Sequence, residues 1–198
     1  MITRIGAILA IWIVGALSTG CGSSRASVYE SVSATTRDTA QAQKLSQRAA
    51  AIIDDDPEKA EELLREALGE DLFYGPAHNN LGVIYLKRGE LYSAANEFEW
   101  ARKLMPGHPD PRINLALTLE KAGQADDAAA SYRAALEMAP RSVDARTGLA
   151  RLQIRTADAS GETVELLRKI EKSTDDAGLR SWARDQRLRL MPFGSIGQ

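Results

Sequence analysis

Residues 75–108 read GPAHNNLGVIYLKRGELYSAANEFEWARKLMPGH, and residues 109–142 read PDPRINLALTLEKAGQADDAAASYRAALEMAPRS. Superposed with a shift of 34, small and large residues fall together: Leu81 over Leu115, Gly82 over Ala116, Tyr85 over Leu119 and Gly89 over Gly123. The match continues with Ala94 over Ala128, Phe98 over Tyr132, Ala101 over Ala135 and Pro106 over Pro140. Within each unit the apolar residues recur at helical spacing. Leu81, Ile84 and Tyr85 mark one face, and Leu91, Ala94, Ala95, Phe98 and Ala101 mark the next. The small residues Gly82 and Ala94 let two helices approach, and Phe98 or Tyr132 fills the space beside them. Gly89 and Gly123 are placed to end the first helix of each pair in the left-handed conformation, and Pro106 and Pro140 to stop the second.

Self-similarity at this period signals stacked supersecondary units. One step back, Gln41–Tyr74 keeps Ala60, Leu64 and Ala67 in register, although Leu72 stands where the proline belongs. One step forward, from Val143, Leu149 and Ala150 remain in register, and the pattern fades near Ala157. The small-then-large pattern resembles the tetratricopeptide repeat (TPR), a pair of antiparallel helices in roughly 34 residues. That resemblance implies an all-α, TPR-type α-solenoid over 41–176, divided as 41–74, 75–108, 109–142 and 143–176. Terminal repeats of such stacks are atypical, because each presents one face to water. Glu162–Lys172 and Leu179–Leu190 suit amphipathic helices. Residues 177–198 are read as a C-terminal capping helix with Trp182 buried, followed by a loose tail; a helix that docks a partner is the other reading.

The amino terminus has a different composition. After Arg4 no charged residue occurs until Arg25, Ile5–Leu17 is mostly apolar, and Cys21 is the single cysteine of the chain. A basic start, an apolar middle and small residues before a cleavage point make an export signal over residues 1–20. An uncharged stretch of about 20 residues could also stay as a membrane-spanning anchor, and ordinary secretory cleavage is a third reading. Leu17-Ser18-Thr19-Gly20-Cys21 resembles the lipobox of bacterial lipoproteins, with Ser18 where leucine is usual and Leu17 one place further back. The resemblance implies that Cys21 becomes the lipidated first residue, holding the body at a bacterial cell envelope through several acyl chains. Gly22 stands where an aspartate would retain such a protein at the inner membrane, so the outer membrane, facing the periplasm, is expected. Residues 21–40 then form the lipidated cysteine and a Ser-, Thr-, Ala- and Gly-rich tether.

Charge and motifs exclude several functions. Without residues 1–20 the chain keeps 24 Lys and Arg, one fewer than its 25, against 27 Asp and Glu, a formal net of −3. A nucleic-acid binder would carry a basic excess along one face. A lone cysteine closes no internal disulfide. Asp54-Asp55-Asp56-Pro57 is better read as a helix cap with proline in the first turn than as a metal site. His78 and His108, 30 residues apart, suit surface or interhelix roles. There is no phosphate-binding glycine loop, zinc signature or nucleophile elbow, so neither an enzyme, a cofactor, a metal nor a small-molecule substrate is expected. Charge is also uneven. Asp54–Asp71 holds nine acidic and two basic residues, and Leu179–Leu190 four basic and one acidic.

In the family the first helix of each pair lines a concave wall. Carried over by position, that wall presents Asn79, Asn80, Val83, Leu86 and Lys87, then Ile113, Asn114, Leu117 and Lys121, then Thr147 and Arg151. Asparagine amides offer a donor and an acceptor to a peptide backbone, or else serve bonds between helices. Asn80 and Asn114 match the asparagines of a family pattern that clamps a terminal carboxylate, but Asp110 and Asp144 stand where its cations would be. A mixed polar and apolar groove for a protein or peptide partner is therefore expected, on a membrane-anchored scaffold. A narrower alternative is an assembly factor similar to the lipoproteins that guide pilus or secretion channels to the outer membrane.

Overall fold

The computed structural model describes residues 37–158 and 160–191. The segments read as an export signal, as Cys21 with its tether and as a tail fall on residues 1–36 and 192–198, outside the described residues. Among the described residues the chain is all helix. Four antiparallel pairs follow one another: α1 (Thr39–Ile52) with α2 (Pro57–Glu70), α3 (Gly75–Arg88) with α4 (Leu91–Leu104), α5 (Asp110–Lys121) with α6 (Ala125–Met138), and α7 (Val143–Arg155) with α8 (Gly161–Ser173). A ninth helix, α9 (Ala177–Leu190), packs on α8. The first helices stand side by side, α1 against α3, α3 against α5 and α5 against α7. This is the TPR-type solenoid that the repeat implied.

Each pair is set by a close approach. Phe98 is fully buried on α4, and a Cβ placed on Gly82 of α3 would meet its ring at 2.6 Å. Only a residue without a side chain admits the ring at that depth. Ala94, fully buried, and Leu115 of the next pair share this middle cluster with Phe98, and Ala101 one turn along α4 is fully buried as well. On the amino-terminal side Leu45, Leu64, Leu81 and Ile84 form one core. On the carboxy-terminal side Tyr132, Leu149, Leu167 and Ile170 form another.

The turns repeat with the same bonds. At the first turn of the second and third pairs, Gly89 N donates to Leu86 O at 3.2 Å and Glu90 N to Tyr85 O at 2.9 Å, and Gly123 and Gln124 do the same to Glu120 and Leu119. In the fourth pair Ala157 N and Asp158 N donate to Ile154 O and Gln153 O at 3.1 and 2.8 Å. The residues that turn have φ of 78° at Gly89, 79° at Gly123 and 58° at Ala157. The pattern that fades near Ala157 in sequence therefore persists in the backbone, with an alanine doing what two glycines do elsewhere. Leu72 likewise stands in for proline. Asp71 N and Tyr74 N bond Ala67 O and Asp71 O as their counterparts beside Pro106 and Pro140 do.

Caps complete the helix starts. Asp56 Oδ1 accepts from Lys59 N at 2.9 Å with Pro57 in the first turn, the capping role read for the acidic triplet. Asp38, Ser142 and Asp176 cap α1, α7 and α9 in the same way.

A non-glycine residue in the left-handed region costs roughly 1–2 kcal/mol, a cost that glycine avoids while losing some backbone entropy. Ala157→Gly should therefore raise stability by about 0.5–1 kcal/mol, read as a higher midpoint of urea unfolding with an unchanged slope.

Candidate functional site

A cleft of about 680 Å³ opens between α5, α7 and α9. It falls within the size range of ligand-binding clefts. Its apolar walls are Ile113 and Leu117 from α5 and Leu179 and Trp182 from α9, and Thr147, Gly148 and Arg151 of α7 lie between them. The cleft exists because α9 packs along α8 while its backbone keeps clear of α7. Fully buried Ala183 makes the close approach of α9, and Trp182 is only half-buried, on the cleft wall. The sequence reading of a buried Trp182 is corrected in that respect. The bulky ring cannot enter where an alanine fits, so it faces the opening and the Arg151 guanidinium lies 5.1 Å from its centroid.

The floor is Tyr132 of α6, 2% exposed. Gly148 lets its ring through, since a side chain at 148 would collide with the phenol. Tyr132 Oη donates to Glu120 Oε2 at 3.2 Å, and burial together with that carboxylate pushes the phenol well above its ordinary pKa. Glu120 is also paired with Arg155 at 2.6 Å. Thr147 is 8% exposed, and its Oγ1 is buried without a hydrogen-bond partner. Asp144, near the start of α7, and Asp176, which caps α9 by accepting from Leu179 N at 2.9 Å, stand at the rim.

Four of the residues expected to line a groove meet here: Ile113, Leu117, Thr147 and Arg151. Others are used elsewhere. Asn114 Nδ2 donates to Asn79 Oδ1 at 3.1 Å, which ties α5 to α3. Val83 and Leu86 pack on the Phe98 cluster. Lys87 is paired with Asp54 across to the α1–α2 turn. Asn80 is half-buried on α3 and Lys121 exposed at the end of α5, both away from the cleft lining. The carry-over missed Tyr132, Gly148, Leu179 and Trp182. One signal was available: Gly148 occupies the register place of Asn80 and Asn114, a break where a large neighbour needs room.

His78 has the interhelix role. It is 5% exposed between α3 and α4, with Nδ1 2.7 Å from Glu97 Oε2, Nε2 2.9 Å from Leu72 O, and its ring stacked on Trp100 with centroids 5.9 Å apart. Burial alone would lower its pKa. The Glu97 hydrogen bond and the Leu72 carbonyl outweigh burial and raise it, because only the doubly protonated ring donates to both acceptors. His108 is exposed. Among the described residues no cluster of three or more His, Cys, Asp or Glu side chains is arranged to hold a metal ion, and no helix is long and apolar enough to cross a membrane.

Stacked helix pairs with a cleft along their first helices define a class, the helical repeat scaffolds for protein–protein interaction. Within that class the chain belongs to the family described as protein kinase G tetratricopeptide repeat, whose model matches residues 19–178. No curated protein matches it in sequence. Solved structures share its fold. A thermophilic TPR protein of Thermus thermophilus aligns with a TM-score of 0.64 at 19% identity, covering 74% of this chain and 81% of its own. YrrB, described as a TPR protein with an unusual peptide-binding site, aligns at 0.60 and 19% identity, covering 75% and 76%. The first TPR of Spaghetti (RPAP3), bound to the HSP90 peptide SRMEEVD, aligns at 0.57 and 15% identity, covering 61% and 96%.

Two measurements probe the site's electrostatics and polarity. A raised pKa at His78 means that its stabilising contribution is complete below the unfolded value of about 6.5 and is lost as pH climbs through the folded value. The stability gap between the native chain and His78→Gln, from denaturant unfolding, should be widest near pH 6 and narrow as the pH is raised above about 6.5 through the folded value. Thr147→Val replaces an unpartnered buried hydroxyl by a methyl group of similar shape and should raise stability by about 1 kcal/mol in the same assay.

Proposed function

We propose that the chain is a lipid-anchored scaffold of the bacterial cell envelope that holds a segment of a partner protein in the cleft between α5, α7 and α9. The cleft carries this reading. It combines an apolar interior, polar groups at its edge and a volume suited to a few side chains, and it lies on the first-helix side. Peptide recognition by YrrB and by the RPAP3 repeat, proteins of the same fold, supports a peptide as the ligand class. The lipid anchor rests on the lipobox resemblance at Cys21. The described body enters at Arg37, where Asp38 N donates to Glu70 O at 3.2 Å and Thr39 Oγ1 to Asp71 Oδ2 at 2.7 Å. The solenoid thus begins at the end away from the cleft, an order that suits an anchored amino terminus and a cleft turned to a partner. A scaffold of this kind works by holding, with no chemistry of its own. If the partner is a channel-forming protein of the outer membrane, the narrower role of an assembly factor follows.

Cross-linked co-purification from host membranes tests the assignment. The native chain should capture a partner that Leu117→Trp/Arg151→Ala loses and that Asn80→Ala/Asn114→Ala retains, because only the first pair of changes lies in the cleft. A partner held equally by all three moves the working surface elsewhere. Intact mass of the membrane-purified protein, with Cys21→Ser as control, should show loss of residues 1–20 and addition of acyl chains; an unprocessed, unmodified chain removes the anchor from the reading.

A further inference from the structure

The rim and walls of the cleft carry information about the ligand's own chemistry, an inference that rests on reading the cleft as the partner site. Asp144 and Asp176 stand at the amino-terminal ends of α7 and α9, and Arg151 lies about 10 Å further along α7 at the helical rise. The three charges are not equally available. Arg151 already lies over the Trp182 ring. The neighbouring ion pairs, Arg155 with Glu120, Arg133 with Glu162 and Arg184 with Glu171, use neither aspartate. Two further cations on α7 and α9 are committed to neutral oxygens: Arg146 to Pro140 O and Ser173 Oγ, and Arg180 to Thr174 O at 2.7 Å. Asp176 spends one oxygen on the α9 cap, and its other oxygen has no hydrogen-bond partner among the described residues. Asp144 has no ion-pair partner there.

A second feature lies between these charges. Thr147 sits one turn from Asp144 and one turn from Arg151, 8% exposed, with an Oγ1 that nothing in the described fold satisfies. A buried hydroxyl without a partner costs free energy, and a ligand that hydrogen-bonds there recovers it. Beside it Ile113, Leu117 and Leu179 offer an apolar surface, with Leu117 37% exposed.

We propose that the cleft takes a partner segment in which a lysine or arginine side chain stands next to a large aliphatic one. The aliphatic residue packs on Ile113, Leu117 and Leu179. The cation sits at the rim between Asp144 and Asp176, and a polar group of the segment bonds Thr147 Oγ1. The selectivity is thus opposite to capture of a terminal carboxylate, because the rim at Asp144 and Asp176 is acidic.

The test uses the purified full chain and a positional library of acetylated, amidated octapeptides, whose neutral termini leave side chains as the only charges, read by fluorescence anisotropy. Peptides with Lys or Arg beside Leu, Ile or Met should bind at least about fivefold more tightly than those with Asp or Glu in that place, the scale of an exposed charge pair. The advantage should shrink with added salt and disappear in Asp144→Asn/Asp176→Asn, in which asparagine still caps α9. Thr147→Val should weaken the same peptides several-fold without loss of stability. Acidic peptides preferred, or charge without effect, with binding still abolished by Leu117→Trp, would overturn the assignment of ligand charge and leave the cleft as the site. Binding indifferent to Leu117→Trp, or no library member bound, would overturn both the charge assignment and the cleft reading beneath it.

Discussion

The approach of the Phe98 ring to the bare Cα of Gly82 is the contact on which the rest of the solenoid depends. Two helices can pack at that depth only if one presents nothing where the other presents most. With the ring seated, Ala94 and, from the following pair, Leu115 join the same cluster. The third pair has Ala116 and Tyr132 in the same register places, both buried, with a methyl group where the second pair has none. One local rule, applied at a fixed interval, sets the packing within the pairs. The repeated turn bonds at Gly89, Gly123 and Ala157 keep that interval constant.

The cleft arises where the rule is broken. Gly148 replaces the asparagine of earlier repeats, so Tyr132 is met by a second bare Cα from the following pair as well as by Ala116 of its own. After α8, α9 begins at Ala177, 34 residues after the start of α7 at Val143. α9 leans on α8 through Ala183 and stands off α7, and Trp182 and Leu179 face the gap. The last helix packs with Leu167 and Ile170 in one cluster, as the capping reading expects, and its Leu179 and Trp182 wall the cleft.

Earlier in the chain, first-helix residues that resemble ligand contacts hold the scaffold together. Asn79 and Asn114 bond each other, Lys87 returns to Asp54, and His78 joins the α2–α3 turn to α4 through Leu72 O and Glu97. The acidic run from Asp54 to Asp71 is accounted for in part the same way. Glu61 takes Arg65 and Arg88, Asp56 caps α2, and Asp71 accepts from Thr39. Part of the excess of charge in sequence is thus spent on caps and pairs within α2 and on bonds from it to its neighbours.

By itself the sequence determined the helix pairs, their order and their close contacts, because these follow from residues whose spacing repeats. Small residues facing Phe98 and Tyr132, glycine at the left-handed turns and Asp56 before Pro57 are local requirements, and each is visible in a single line of text. It also marked Ile113, Leu117, Thr147 and Arg151, which share the cleft. Only the tertiary structure decided which part of the first-helix wall stays open, since that depends on how far α9 stands from α7. Neither an amide that bonds across helices nor a threonine without a partner is distinguishable in sequence from one that meets a ligand. The difference is a distance of a few ångströms between segments far apart in the chain, and no periodicity encodes it.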